Sequence, residues 1–102
     1  RVLFRSGEPD CVVLVGGERV PRFSAAARRH LDQVPVILLD PSFAEVHVRP
    51  AVRFRTAVYG IHRRGTAYRM DEVPIPLRQL LPSDLPSDDE VLRAVRTHLD
   101  RL

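Results

Sequence analysis

The sequence predicts an α/β fold: a β–α–β unit with a parallel sheet, then a β-hairpin extension and a C-terminal helix. Two apolar, β-branched runs at 11–15 and 34–39 enclose a segment whose apolar residues recur at helical spacing. Further on, two strand-like runs flank Asp71–Glu72, and a capping-box sequence begins at Ser87. We expect two parts: an α/β segment at 1–82 with the hairpin at 66–77, and a linker with the helix at 83–102.

Composition limits the function classes. The 102 residues amount to about one domain, and the longest apolar runs are far below the roughly 18 residues of a membrane span. All 16 basic residues are arginine, giving a net charge of +3, but they are scattered and aromatics are only 6%. A nucleic-acid or membrane partner is therefore not expected, although a nucleic-acid-binding or regulatory module is kept as an alternative.

The chain begins at Arg1, and its one methionine is Met70, so we interpret it as a fragment of a longer protein. A single cysteine, Cys11, excludes an internal disulfide and is typical of a cytoplasmic protein.

The first strand, Cys11–Val15, follows a turn signal at Gly7 and Pro9. Its continuous apolar run predicts a strand covered on both faces, with Cys11 as a buried packing residue. Gly16–Gly17 then forms either an ordinary strand-to-helix turn or a ligand loop. The full dinucleotide motif is absent, so the two glycines alone do not decide between these interpretations.

The predicted helix runs from Phe23 to Leu31, with Pro21 suited to its first turn and His30 solvated near its end. Its apolar face comprises Phe23, Ala26, Ala27 and Leu31.

The second buried strand, Val34–Leu39, must pair in parallel with the first, given the length of the crossover. Asp40, Pro41 and Ser42 follow at its carboxyl end, where doubly wound sheets bind ligands. Asp40 is therefore a candidate ligand-binding residue, and the alternative is that Asp40–Pro41 only makes a turn.

Residues 45–55 alternate between apolar and polar positions and are interrupted at Pro50, which predicts two short edge strands or one broken strand. The polar side holds His47, Arg49, Arg53 and Arg55, of which His47 is expected to be solvated.

The hairpin is predicted from strands at 66–70 and 73–77 with a two-residue turn at Asp71–Glu72. Pro74 and Pro76 cannot donate to a ladder and leave one edge of the second strand unpaired. Two roles are open for Arg69: an ion pair with Asp71 that fixes the hairpin, or contact with an anionic cofactor or partner. In the second case Thr66 and the Gly65 backbone contribute to the same site.

Ser87 and Glu90 form a capping box, which predicts a helix from about Asp88 to Arg101. Its apolar stripe must pack on the sheet or on another subunit, and comprises Val91, Leu92, Val95, Leu99 and Leu102.

The string GTAYRMDEVPIPL, with AVYGI and PVILLDP before it and PSDDEVL after it, resembles the C-terminal part of the B subunit of formylmethanofuran dehydrogenase. It also resembles the bacterial relative of that protein in the formyltransferase/hydrolase complex. The resemblance implies part of a larger molybdopterin oxidoreductase-like fold. In methanogens it implies a tungsten or molybdenum bis-pterin enzyme that reduces carbon dioxide to formate. In methylotrophic bacteria it implies transfer of a formyl group from a pterin carrier to a furan-type carrier and its hydrolysis to formate.

Residues Gly65–Asp71 match the family's string, whereas Glu72 stands where glycine is usual, which affects the expected turn. The family's metal-binding cysteine belongs to an upstream region, so no catalytic residue, metal ligand or cofactor of its own is expected here. The resemblance makes Gly65, Thr66, Arg69 and Asp40 candidate cofactor-binding residues, with molybdopterin in an intact methanogen-type relative. Expected partners are other subunits of a hetero-oligomeric formyl-transfer complex. The arginine-only composition favours the bacterial complex, and a pterin-enclosing part of the dehydrogenase is the alternative.

Overall fold

The computed structural model describes residues 9–41 and 43–102, so Gly7 and Ser42 lie outside the described residues. The described chain is α/β, as predicted. Its elements are β1 (Val12–Val15), a 3₁₀ turn (Val20–Arg22), α1 (Ala25–Gln33), β2 (Val36–Asp40), β3 (Val52–Arg55), β4 (Gly65–Tyr68), β5 (Pro74–Leu77) and α2 (Asp88–Leu99).

The chain divides into two compact units, one ending at Phe54 and one beginning at Arg55. The first holds β1, α1, β2 and most of β3, and the second holds the hairpin and α2. The predicted division after residue 82 stays a prediction.

The first unit is the predicted β–α–β unit. Strands β1 and β2 pair in parallel, with Val12 opposite Val36, and α1 connects them. Strand β3 lies on the other side of β2. The Ala51 N–H donates to the Val36 carbonyl over 2.8 Å, so the start of β3 lies beside the start of β2, as in a parallel pair.

Burial is concentrated on β2, where Val36, Leu38 and Leu39 are almost completely enclosed. Each such side chain contributes about 1.5–3 kcal/mol through the removal of apolar surface from water. Val36 packs in one cluster with Val12, Val20 and Leu31, from β1, the 3₁₀ turn and α1. The prediction of a buried second strand is confirmed.

The prediction that β1 is covered on both faces is wrong. Val12 is buried, but Val13 and Val15 are 45% and 52% exposed, and Cys11 is exposed ahead of the strand. The reason is that only the face of β1 that carries Val12 and Leu14 meets the core cluster.

Helix α1 starts two residues later than predicted. The Ser24 hydroxyl caps it by accepting the Ala27 N–H over 3.2 Å, while Phe23 is extended and outside the helix. Ala27 and Leu31, four residues apart on one helical face, are buried as predicted, whereas Ala26 is exposed. Pro21 lies in the 3₁₀ turn, and His30 Nε2 lies 2.7 Å from the Pro9 carbonyl oxygen.

Only Val52–Arg55 of the alternating segment forms a strand, so the chain around Pro50 is irregular. Val52, predicted on the apolar side, is half exposed.

The hairpin loop has three residues, Met70–Asp71–Glu72, and the predicted two-residue turn is wrong. The Glu72 N–H donates to the Arg69 carbonyl over 2.9 Å, and the Arg69 N–H donates to the Val73 carbonyl over 3.0 Å. Glu72 closes the loop with a φ of 65°, which gives a turn followed by a left-handed residue. Pro74 and Pro76 pair opposite Tyr68 and Thr66, and no other strand of the described residues pairs with the edge beyond them, as predicted.

Helix α2 begins where predicted. The Ser87 side chain accepts the Glu90 N–H over 3.1 Å, and three acidic residues occupy the first turn. Of the apolar stripe, Val91 is buried, whereas Leu92 and Leu99 are exposed and Leu102 lies beyond the helix. Packing of the remaining stripe on a partner stays a prediction.

The two α-helices have 9 and 12 residues, and neither of these described helices is long enough to cross a membrane.

Candidate functional site

Asp40, at the carboxyl end of β2, is the most enclosed charged side chain in the described chain. It is 1% exposed, and its Oδ2 atom has no hydrogen-bond partner among the described residues. The structure places Asp40 at the end of a parallel strand, as predicted. A buried polar atom without a partner is uncommon and often marks a functional position.

Gly17, which follows β1, lies against this carboxyl group. A Cβ atom built on Gly17 would approach Asp40 Oδ2 to 3.4 Å and Leu38 Cδ1 to 3.5 Å. The absence of a side chain at residue 17 therefore leaves Asp40 close to the backbone of the Gly16–Gly17 turn. Gly16 itself has a φ of 75°, which suits glycine.

The charge state of Asp40 reflects its burial. Removal from water raises its pKa above the ordinary value of 3.8, and the nearby Glu18 carboxylate acts in the same direction. The polar backbone of Gly17 and the charges of Arg53 and His47 lower the pKa, but they do not offset the burial. Asp40 thus keeps a proton to higher pH than an exposed aspartate.

Arg53, on β3, is the residue of this site that the sequence pattern misassigned. Its Nη2 atom lies 3.2 Å from the Pro41 carbonyl oxygen and 3.4 Å from that of Ala44, and its Nε atom is buried without a partner among the described residues. The alternating pattern placed Arg53 on the solvent side. The strand that carries Arg53 was the signal that could have placed it here. Neighbouring parallel strands end at the same edge of a sheet, so a residue on β3 can lie close to Asp40 at the end of β2.

Asp40 and Arg53 together offer one acceptor and one donor that no described residue uses. Both atoms are enclosed by the protein, so a bound group would reach them only after the surrounding chain moved.

In the second unit, Arg69 forms an ion pair with Asp71, with Nη2 and Oδ2 2.9 Å apart. Both side chains are more than half exposed, so the pair contributes little to stability. Asp71 Oδ1 also accepts the Val73 N–H over 3.4 Å. Of the two roles open for Arg69, the structure contains the hairpin-fixing ion pair.

Gly65 begins β4 beneath the ring of Tyr59. A Cβ atom at residue 65 would lie 2.8 Å from Tyr59 Cδ1, closer than side chains approach each other. Glycine at this position is therefore required by packing against Tyr59. Thr66 is exposed, and because it alternates with Gly65 and Arg69 along the strand, it lies on the opposite face from both.

A cluster around the start of α2 was not singled out from the sequence. The Tyr59 hydroxyl donates to Asp88 Oδ1 over 3.0 Å, and Arg63 Nη1 lies 3.0 Å from Glu90 Oε1. Arg63 also donates to the Leu85 carbonyl over 3.1 Å. These contacts tie the Tyr59–Arg63 loop to α2 and border a cleft of about 400 Å³.

The pKa of Tyr59 reflects the same cluster. A hydrogen bond with Ser87 lowers it, whereas burial and the neighbouring Asp88 and Asp89 carboxylates raise it, and the net pKa lies above the ordinary 10.0. Tyr59 therefore stays neutral and acts as a donor near neutral pH.

Within residues 9–41 and 43–102, no group of three or more His, Cys, Asp or Glu side chains is placed to hold a metal ion. The candidate residues also fall into separate units, with Asp40 in the first and Gly65, Thr66 and Arg69 in the second.

No protein-family model matches the chain. Comparison with individual proteins gives a relative over almost the whole chain: a protein of Methanococcus maripaludis is 28% identical over 102 residues, covering 98% of this chain. Its name describes the B subunit of a tungsten-containing formylmethanofuran dehydrogenase 2. The chain is similar to part of a formylmethanofuran dehydrogenase B subunit.

A second protein, from Methanocaldococcus jannaschii, carries the same name and is 30% identical over 93 residues, covering 89% of this chain. The chain spans 24% and 21% of the lengths of these two relatives. The resemblance inferred from the GTAYRMDEVPIPL string is therefore confirmed at the level of the subunit, and a match of this size is consistent with a C-terminal part.

Proposed function

We propose that this chain is the C-terminal part of a subunit in a formyl-transferring or formylmethanofuran dehydrogenase-type complex of one-carbon metabolism, without catalytic residues of its own. The observation that carries the proposal is the similarity to two subunits of that name over 98% and 89% of the chain. These matches are long enough to include residues of both compact units.

The arrangement of charged residues supports a positioning role. Arg63 is held by Glu90, and Arg69 by Asp71. These arginines fix the loop and the hairpin, and their partners among the described residues are carboxylates and a backbone carbonyl. In this proposal the second unit shapes a pocket or a subunit contact in the complex.

The proposed partners are other protein subunits and neither nucleic acid nor a membrane. Leu92 and Leu99 on α2 are 41% and 62% exposed, which suits burial against a neighbouring subunit. Because every basic residue is arginine, as in proteins of organisms with GC-rich genes, we favour the bacterial formyltransferase/hydrolase complex. A cytoplasmic location is part of the same proposal.

Purification of the tagged parent protein from its host tests this proposal. We expect it to co-purify with three other subunits and to show formyl-transfer activity only in the assembled complex. Replacing Leu92 and Leu99 with glutamate should reduce co-purification, whereas His98→Glu on the same helix should not. A catalytically complete monomer would contradict the proposal.

A second candidate is the part of a tungsten or molybdenum dehydrogenase that closes over a pterin cofactor. Both relatives are named tungsten-containing, and Asp40 Oδ2 is a buried acceptor without a partner among the described residues. By its chemistry that oxygen would accept an N–H group of a pterin ring, and Arg53 Nε would donate to an acceptor, once the enclosing chain opened. Arg69 fits less well, because Asp71 already occupies its guanidinium group. When bound, such a cofactor supplies the redox chemistry of carbon dioxide reduction.

Metal and pterin analysis of the intact protein separates the two candidates. Tungsten or molybdenum at about one per chain, with extractable pterin, would favour the cofactor-closing role. In that case Asp40→Asn should lower the pterin content, while Asp10→Asn, an exposed change in the same unit, should leave it unchanged. Neither metal nor pterin in an active formyl-transferring complex would favour the first candidate.

A further inference from the structure

The hairpin of β4 and β5 has two chemically different edges. The Arg69 N–H donates to the Val73 carbonyl over 3.0 Å, which sets the hydrogen-bonding phase of the ladder. Successive residues in an antiparallel pair alternate between bonded and non-bonded positions. The N–H and C=O groups of Ala67 therefore point towards β5. The N–H and C=O groups of Thr66 and Tyr68 consequently point away from β5 and form the outer edge of β4.

On β5 the corresponding outward positions hold Pro74 and Pro76, which lie opposite Tyr68 and Thr66. Proline has no N–H, so this edge cannot continue a ladder. Proteins use proline in this way to prevent unwanted strand pairing. The hairpin is therefore blocked on one side, while the β4 side retains its donors and acceptors.

The open edge is accessible. Thr66 is exposed and Tyr68 is 70% exposed. The phase of the ladder turns their amides away from β5, and no other described strand pairs with β4. A row of unpaired donors and acceptors on a strand is a template for a further strand.

The edge of β4 is complementary to itself. If two copies pair antiparallel about a two-fold axis at Ala67, Thr66 of each copy faces Tyr68 of the other in a bonded position. Both N–H groups and both carbonyls of each edge are then satisfied. The same register sets Arg63 and Arg64, which precede β4, near the acidic tip Asp71–Glu72 of the other copy.

We propose that β4 is the contact between two copies of this chain, which form a four-stranded antiparallel sheet with a proline-blocked β5 at each end. The blocked edges end the sheet, so the assembly closes at two copies instead of growing into a fibre. Because a contact between two strand edges is small, the association is weak and depends on concentration. Such a contact is independent of the proposed function.

Sedimentation and amide exchange of the 102-residue chain test the contact directly. We expect a monomer–dimer equilibrium at concentrations up to about 1 mM, the range appropriate to a small interface. The exchange of the Thr66 and Tyr68 amides should slow as the dimer forms, while Ala67, already bonded within the hairpin, should change little.

The combined substitution of Thr66→Pro and Tyr68→Pro removes the outward donors without removing any β4–β5 bond. We expect dimerisation to weaken about 100-fold or more, since the bonds across the two-fold axis depend on these donors. The matched control, Thr66→Val with Tyr68→Phe, changes the side chains but keeps the amides and should still dimerise. Protection of the Ala67 amide shows that the hairpin is intact.

If the proline variant does not fold, an exchange of charges provides a second test of the contact. Arg64→Glu and Glu72→Arg should each weaken the dimer, and the double variant should restore it, whereas Arg78→Glu should have a smaller effect. A chain that stays monomeric over this range would overturn the proposal. So would dimerisation of the folded proline variant, or protection of the Thr66 and Tyr68 amides only when a strand from a different protein is added.

Discussion

Glu72 has the one left-handed backbone among the described non-glycine residues. Its φ of 65° is imposed by the three-residue loop, in which this position closes the turn onto Val73. A residue with a Cβ is strained there, which is a physical reason to expect the glycine that the family resemblance implies at this position.

Replacing Glu72 with glycine should therefore stabilise the hairpin by about 0.5–1 kcal/mol. The matched control is Met70→Gly in the same loop, where φ is not positive and glycine only adds freedom to the unfolded chain, so it should destabilise. Exchange of the Ala67 amide measures both effects. Equal shifts in the same direction would contradict the strain argument.

At residue 65 glycine is required by space and not by backbone conformation, because a Cβ atom there would lie 2.8 Å from the Tyr59 ring. Gly65→Ala should destabilise the second unit by about 1–3 kcal/mol through overpacking, measured by urea unfolding. In a Tyr59→Leu background the same change should cost much less. A full cost in both backgrounds would show that something other than Tyr59 requires the glycine.

At the scale of elements, the ends of the helices are determined by single hydroxyl groups. Ser24 caps α1 and Ser87 caps α2, each by accepting one backbone N–H. Ser87 is also buried and contacts Tyr59, so it connects the helix start with the loop before β4.

Ser87→Ala should destabilise α2 by about 1 kcal/mol, since the Glu90 N–H loses its partner. The helical signal in far-UV circular dichroism during urea unfolding measures this loss. Ser87→Thr keeps the hydroxyl and should retain most of the stability. An alanine variant as stable as the threonine variant would mean that the cap contributes nothing.

At the scale of the whole molecule, the buried Asp40 should influence how stability depends on pH. Its pKa is raised by burial, so it contributes stability below its ordinary pKa of 3.8, and this contribution is lost as pH rises through the raised value. A carboxylate with a depressed pKa has the opposite effect, because its contribution to stability is lost as the pH falls.

Asp40→Asn removes this titration. We therefore expect the stability of the wild type relative to the variant to fall as the pH increases from below 3.8 towards neutrality. Urea unfolding at a series of pH values measures the difference, and Asp84→Asn provides a control. A constant difference across this range would show that Asp40 titrates as an exposed aspartate.

Local patterns in the sequence were sufficient for the order of the elements, the parallel β–α–β unit and the start of α2. These features depend on short-range physics: the spacing of apolar residues, the proline positions on β5 and the serine before α2. The family resemblance likewise depends on the string Gly65–Asp71, and the comparisons confirm it.

Tertiary structure alone decided the exposure of Cys11 and of one face of β1, because burial depends on which faces meet another element. It also decided that Asp40 and Arg53 lie at one site, since residues 13 positions apart meet only when their strands share a sheet edge. The sequence by itself determined most of the segments that become strands and helices, with residues 45–51 and the 3₁₀ turn as exceptions. The structure determined what surrounds each side chain, because this depends on contacts between segments that are distant in the chain.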